Sequence, residues 1–333
     1  MAAEAATNGP WDVVFTWVDG ARPGFQTDLA RALAASASPP HPRAIGANRF
    51  RPTPCLRYAL RSIAKHGRGL GRIFVVTNGE RPAWLEADGE RLVFVDHAKI
   101  IDADHRPTFN SNAIEWCLHR IPGLSDPFVY FNDDVLLTAD FSFANGMATS
   151  PPTLSLEGWP MYRDPTAIDP VGGSAAFNAS LLDERFGPRA ARPEAPHEPL
   201  MLHKAVLAEL ERAWPAEIAA TRAHKLRTPR DVVLPRMYVH YLLEQLEAAA
   251  RRGDGPPPRL APTSAVLLSY GGPSADFSSQ LQRLPEHLGA FLCINDELGE
   301  RGDGEGADNE RLLEAFLAWF YPTPAPWERD RRP

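Results

Sequence analysis

The 333-residue chain lacks the marks of several large enzyme classes. It has no glycine-rich loop ending in Lys-Ser or Lys-Thr, no Gly-x-Gly-x-x-Gly, no His-Glu-x-x-His and no Gly-x-Ser-x-Gly. Those absences disfavour the common NTPases, dinucleotide enzymes, zinc proteases and serine hydrolases. Cysteine is sparse: Cys55, Cys117 and Cys293 are odd in number and far apart. That excludes a disulfide framework and a zinc-ligand spacing, and leaves reduced thiols. No apolar run approaches 18 residues, so no membrane span is expected. Met1 to Pro10 has no apolar signal core, so a cytoplasmic protein is expected. Positive charge is also lacking. A formal charge of −7 argues against a sequence-independent nucleic-acid binder. The length allows one large domain or two modest ones.

What is present centres on Phe128-Val129-Tyr130-Phe131, an apolar run that reads as a buried strand. Polarity then flips to Asn132-Asp133-Asp134 before Val135-Leu136-Leu137 turns apolar again. Asp12 to Val18, Ile73 to Thr77, Leu92 to Val95 and Leu292 to Ile294 read as further strands. Helical spacing is expected near Phe25–Ala35, from Pro54, over Pro199–Trp214, over Leu234–Ala249 and around Leu312–Phe320. A short helix follows Thr108, with Ser111 as its expected cap. Strands alternating with helices predict a mainly parallel, helix-flanked α/β sheet. Residues 141–196 read as an irregular loop region.

Three strands end in acid-bearing steps: Val18-Asp19, Asn132-Asp133-Asp134 and Ile294-Asn295-Asp296. If all three run parallel in one sheet, these residues gather along its carboxyl edge, where ligands bind in open α/β folds. Carboxylates and amides clustered there suit Mg²⁺ or Mn²⁺ holding a diphosphate, with Asp134, Asp19 and Asp296 as metal ligands. The plain alternative for Asp133 and Asp134 is a solvated turn.

Asp12 to Gly20 resembles the first signature block of the Stealth family. Leu56 to Ile63, Ile73 to Gly79, Pro107 to Glu115, His119 to Leu124 and Tyr130 to Asp134 resemble its long second block. His197-Glu198-Pro199 through Arg227 resembles the third, and Cys293 to Asp296 the fourth. The resemblance implies a Rossmann-like or GT-A-like sheet with a helical C-terminal part completing the site. It also implies transfer of a hexose 1-phosphate, such as GlcNAc 1-phosphate, from a nucleotide sugar to an acceptor hydroxyl. The products would be a phosphodiester and a nucleoside monophosphate, in capsule or exopolysaccharide synthesis.

On that resemblance, Asp133, Asp134, His197 and Arg227 are the expected catalytic set. His197 would be a general base near the acceptor, and Arg227 a phosphate clamp. Asp19, Arg57, Arg61, Asn112, Glu115, Asn178 and Asn295 are the expected substrate contacts. Each has a bland counterpart: a loop histidine, a helix cap, a solvated arginine. The partners implied are a nucleotide sugar, a UDP-sugar being favoured, and a glycan acceptor. Peripheral contact with the inner membrane face is compatible with the sequence. The expected organisation is a core over 11–140, the irregular region over 141–196 and a helical part with a final strand over 197–325. The rival readings are a metal-dependent glycosyltransferase forming a plain glycosidic bond and a non-catalytic nucleotide-sugar-binding partner.

Overall fold

The computed structural model describes residues 10–36, 38–142, 152–271, 273–298 and 304–329. Its strands, in chain order, are β1 (Trp11–Thr16), β2 (Gly67–Arg68), β3 (Leu70–Thr77), β4 (Leu92–Asp96), β5 (Phe128–Asn132), β6 (Val135–Leu137), β7 (Phe141–Ser142), β8 (Thr153–Leu156), β9 (Leu200–Leu202), β10 (Arg259–Pro262), β11 (Ala265–Tyr270) and β12 (Phe291–Asp296). The main sheet has the order β4-β3-β1-β5-β9. Its first four strands are parallel, and β9 is antiparallel at the edge.

The central strands are mostly apolar because both of their faces are covered; Asp12 of β1, the buried charged exception, is paired with Arg72 of β3 at 2.8 Å. Trp11, Val13 and Phe15 of β1 join Val129 and Phe131 of β5 in one core layer. Val14, Phe128 and Tyr130 point into the other. This is the period-two alternation of a strand, and here both sides are dry. Phe131 is fully buried with its ring 5.2 Å from that of Phe15. Burial of one such side chain contributes about 1.5–3 kcal/mol. The first layer is closed by the helix Cys55–His66, whose Leu56, Leu60 and Ile63 repeat at helical spacing. The second is closed by the helices Lys204–Ala213, Pro215–Ala223 and Leu234–Arg252. The last of these ends at Gly253 with φ of 82°, a left-handed stop that glycine adopts without strain.

Topology places a crevice. From β1 the chain moves outward to β3 and β4, then returns to set β5 on the other side of β1. The strand order therefore reverses between β1 and β5, and their carboxyl ends diverge there. Thr16 lies opposite Asn132 at that point.

The third acid-bearing strand reaches the crevice by a different route from the one expected. β12 belongs to a second sheet of order β11-β12-β6, parallel to β11 and antiparallel to β6. The Asp133-Asp134 step joins the two sheets, and the Ile294 amide donates to the Asp134 carbonyl at 2.9 Å. Two more elements differ from expectation. A 15-residue helix, Gly172–Phe186, occupies part of the region read as irregular, while 143–151 lies outside the described residues. The cap of the short helix Ser111–Glu115 is Asn110, whose side chain accepts from the Asn112 amide at 3.1 Å. No described helix is long and apolar enough to cross a membrane.

Candidate active site

A cavity of about 240 Å³ opens at the carboxyl ends of β1 and β5. Its walls come from Thr16 to Val18, Asn132 to Asp134, Ile294 to Asp296, Asn48 to Arg51, Ser111, Ile114, Glu115 and Arg227. The Asp19-Gly20 turn seats one wall. The Gly20 amide donates to the Phe50 carbonyl at 2.9 Å, and a Cβ at Gly20 would stand 2.2 Å from that oxygen. Only glycine permits so close an approach, and it brings Arg49 and Arg51 to the cavity.

The acidic wall is Asp133 and Asp134. Burial and then repulsion from Asp134 raise Asp133 above the usual carboxylate range. Burial also raises Asp134, against the pull of His197 and Arg227. The pair therefore titrates as a unit with fewer than two charges at neutral pH. Asp134 Oδ1 is buried without a hydrogen-bond partner. Two adjacent carboxylates with an orphaned oxygen fit a hard divalent cation, which would relieve both the repulsion and the missing bond. Among the described residues no third side chain completes a cluster of three metal-ligating groups. Such an ion would draw its other ligands from water and substrate, which is common for Mg²⁺.

The basic wall is Arg49 and Arg227. Arg227 Nη2 donates to Ser111 Oγ at 2.6 Å, and Arg49 Nε to the Arg43 carbonyl at 3.1 Å. Among the described residues neither guanidinium pairs with a carboxylate. Burial, then repulsion from Arg227 and Arg43, lowers Arg49 to about 10. Two like charges facing one cavity without counter-ions make a site for an anion.

Glu115 lies between the two walls. It is 7% exposed, and burial raises it to about 7, with Arg227 opposing. The Tyr130 hydroxyl donates to its Oε1 at 3.3 Å, while its Oε2 is buried and unpartnered. His97 also lines the cavity, and burial lowers it to about 4, so the ring is neutral near pH 7.

The expected residues divide into two groups. Asp133, Asp134, Glu115, Arg227, Asn295 and Asp296 share this cavity. Asp296 is held by Arg51 Nη1 at 2.6 Å to each oxygen, a buried ion pair that already neutralises it. Asn295 Nδ2 donates to Glu297 at 2.9 Å. His197 stands outside the lining, yet close enough for its charge to act on Asp134.

The other residues are engaged elsewhere. Asp19 accepts from the Ala21 amide at 3.0 Å and pairs with Arg22 at 3.2 Å, closing its own turn. Arg61 binds Glu328 through two nitrogens at 2.6 and 2.8 Å, and Arg57 approaches the same carboxylate at 3.4 Å. Both hold the C-terminal segment through that carboxylate. Asn112 donates to the buried Asp231 at 3.0 Å. Asn178 is fully buried and bonds the Ser174, Asp231 and Val233 backbone.

Sequence reasoning missed Arg49, Arg51 and His97. Arg49 and Arg51 flank Phe50 a few residues before Leu56, and that adjacency was the signal available.

Fold and cavity define an α/β protein with an acid and arginine cavity at the carboxyl edge of a parallel sheet. Residues 49–148, 196–244 and 282–333 match Stealth protein conserved regions 2, 3 and 4, respectively. The chain is 34% identical over 337 residues to "Exopolysaccharide phosphotransferase SCO6023" of Streptomyces coelicolor, covering 97% of this chain and 53% of that one. It is 33% identical over 328 residues to "Exopolysaccharide phosphotransferase CpsY" of Mycobacterium tuberculosis, covering 96% and 58%. The chain belongs to the Stealth family, and it spans about half the length of these relatives. Among solved structures, galactosyltransferase LgtC with donor and acceptor sugar analogues aligns at TM-score 0.41 and 13% identity, over 95% of this chain and 98% of that one. The apo glycosyltransferase GlyE of Streptococcus pneumoniae aligns at TM-score 0.34 and 11% identity, over 95% and 65%.

Proposed function

We propose that this protein transfers a sugar 1-phosphate from a nucleotide sugar to an acceptor hydroxyl in exopolysaccharide synthesis. Support comes from family membership, from the names of the relatives and above all from one observation: an acid pair faces two guanidiniums that have no counter-ion. A nucleoside diphosphate sugar with a divalent cation would supply both complements: the diphosphate the negative charge the guanidiniums lack, the cation the positive charge the carboxylates lack. Its diphosphate would lie against Arg49 and Arg227. Asp133 and Asp134 would hold Mg²⁺ or Mn²⁺, which would neutralise charge on phosphoryl oxygens. Asp19 and Asp296 are less suited to that ion, since each already has an arginine partner. A UDP-sugar is the favoured donor and a glycan the acceptor, with the cytoplasm as the expected compartment.

In the proposed step the acceptor oxygen bonds to the β-phosphorus. The bond from that phosphorus to the bridging oxygen breaks, and the nucleoside monophosphate departs with the oxygen. The acceptor proton passes to His197. Catalysis of this kind is mostly positioning and charge stabilisation. Glu115, with one free oxygen, would contact the donor sugar or ribose. Replacing Asp134 with Ala should lower turnover about 10³-fold, as expected for loss of several kcal/mol of metal-borne stabilisation, in a protein that still folds. Near-normal rates in that variant with Mg²⁺ present would remove Asp134 from the site.

A further inference from the structure

Glu157 lies outside the three matched regions and carries no expected role. Its side chain is 4% exposed, and its Oε1 sits 3.0 Å from His197 Nδ1. The same oxygen accepts from the His197 backbone amide at 3.0 Å. Among the described residues no lysine or arginine pairs with it, and the His197 ring is its only cationic partner. Burying a carboxylate without a fixed counter-ion is costly, so this charge needs a purpose.

The surroundings are rigid. The Glu157 amide donates to the Glu194 carbonyl at 3.0 Å, Met161 to Arg192 at 2.7 Å and Glu194 to Trp159 at 2.8 Å. Residues 157–161 thus run against 192–194. Glu194 is clamped by Arg236 at 2.7 and 3.0 Å, and Arg192 is buried against Asp183 and Glu244. A carboxylate fixed this way defines where the imidazole sits.

We propose that Glu157 is the positioning residue of His197, holding the ring proton on Nδ1 and leaving Nε2 free to accept one. The inference rests on His197 acting as the base. A carboxylate at Nδ1 selects that tautomer and stabilises the imidazolium that forms when Nε2 takes the acceptor proton. The ring is 44% exposed, so Nε2 is open to an incoming hydroxyl. Without the carboxylate the loop would still close, but the base would lose its orientation and its compensating charge.

The test uses Glu157→Gln, Glu157→Asp and His197→Gln in the full chain. Rates are read as mononucleotide release from whichever member of a UDP- and GDP-sugar panel with Mg²⁺ is turned over fastest. Glutamine keeps an oxygen that can accept from both N–H groups and removes only the charge. Glu157→Gln should lower kcat about 10- to 100-fold, part of the 10²–10⁴ that a general base contributes. Donor KM and the thermal midpoint should stay unchanged, and Glu157→Asp should recover part of the rate. Nitrogen-15 NMR of ring-labelled protein should show His197 protonated at Nδ1 and bare at Nε2. Wild-type kcat in Glu157→Gln alongside a crippled His197→Gln overturns this role while leaving His197 as the base. Full activity in His197→Gln overturns the base itself and this role with it. A ring protonated at Nε2 in the neutral wild-type protein overturns the proposal whatever the rates.

Discussion

Arg49 offers a perturbation whose two consequences point in different directions. Changing it to Met keeps the aliphatic stem and removes the charge. The guanidinium is lowered to about 10 because it is partly buried beside Arg227 and Arg43. A lowered base is disfavoured in the folded protein at every pH below its folded value, which includes pH 7. At about 1.4 kcal/mol per pH unit the penalty is bounded at about 3.5 kcal/mol. Solvent screening of a partly exposed group brings it to about 1 kcal/mol. Methionine also loses the Nε bond to the Arg43 carbonyl, which returns about 1 kcal/mol of cost. The two nearly cancel, so the thermal midpoint should stay within about 2 °C of wild type. Binding has no such compensation. A charge-assisted bond to phosphate contributes about 1.5–3 kcal/mol, so UDP affinity in the presence of Mg²⁺ should fall about 10- to 150-fold. Calorimetric titration with UDP and a thermal melt measure both. Unchanged UDP affinity, or a midpoint lowered by more than about 5 °C, would refute the view that this arginine is held for a ligand in place of the fold.

Two further variants separate site from scaffold. Glu115, raised to about 7, contributes stability that is complete below the ordinary carboxylate range and is lost as pH rises through 7. Glu115→Gln should therefore raise the midpoint more at pH 8 than at pH 5, as followed by melts across that range; an equal shift at both would contradict the assignment. Arg61→Ala leaves the buried Glu328 carboxylate with Arg57, at 3.4 Å, as its remaining cationic partner and should destabilise the chain by about 2–3 kcal/mol in denaturant titrations while leaving UDP affinity unchanged. A loss of UDP affinity there would return Arg61 to the site.

The strands were legible because their middles are continuous apolar runs, a pattern that follows from two covered faces. The Asp133-Asp134 step was legible because it interrupts such a run. The helix Gly172–Phe186 was not, since Gly172-Gly173 reads as a break. In the structure a Cβ at Gly173 would meet Pro229 Cβ at 2.4 Å and the Ala167 carbonyl at 2.6 Å, so that glycine serves close packing at a helix start. The placement of β12 depended on pairing with β6, more than 150 residues earlier, and no local pattern encodes that. Arg57 and Arg61 share a helix face, as their spacing indicates, but their partner Glu328 lies 267 residues beyond Arg61. What sets Arg49 and Glu157 apart is burial without an ordinary counter-ion, which only the fold determines.

The most direct measurement is the identity of the leaving nucleotide. The purified chain is incubated with UDP-N-acetylglucosamine, Mg²⁺ and a glycan acceptor, and phosphorus NMR follows the products. Attack on the β-phosphorus predicts UMP and a new phosphodiester signal in equal amounts, both lost in Asp134→Ala. Release of UDP with a phosphorus-free glycosidic product would contradict it.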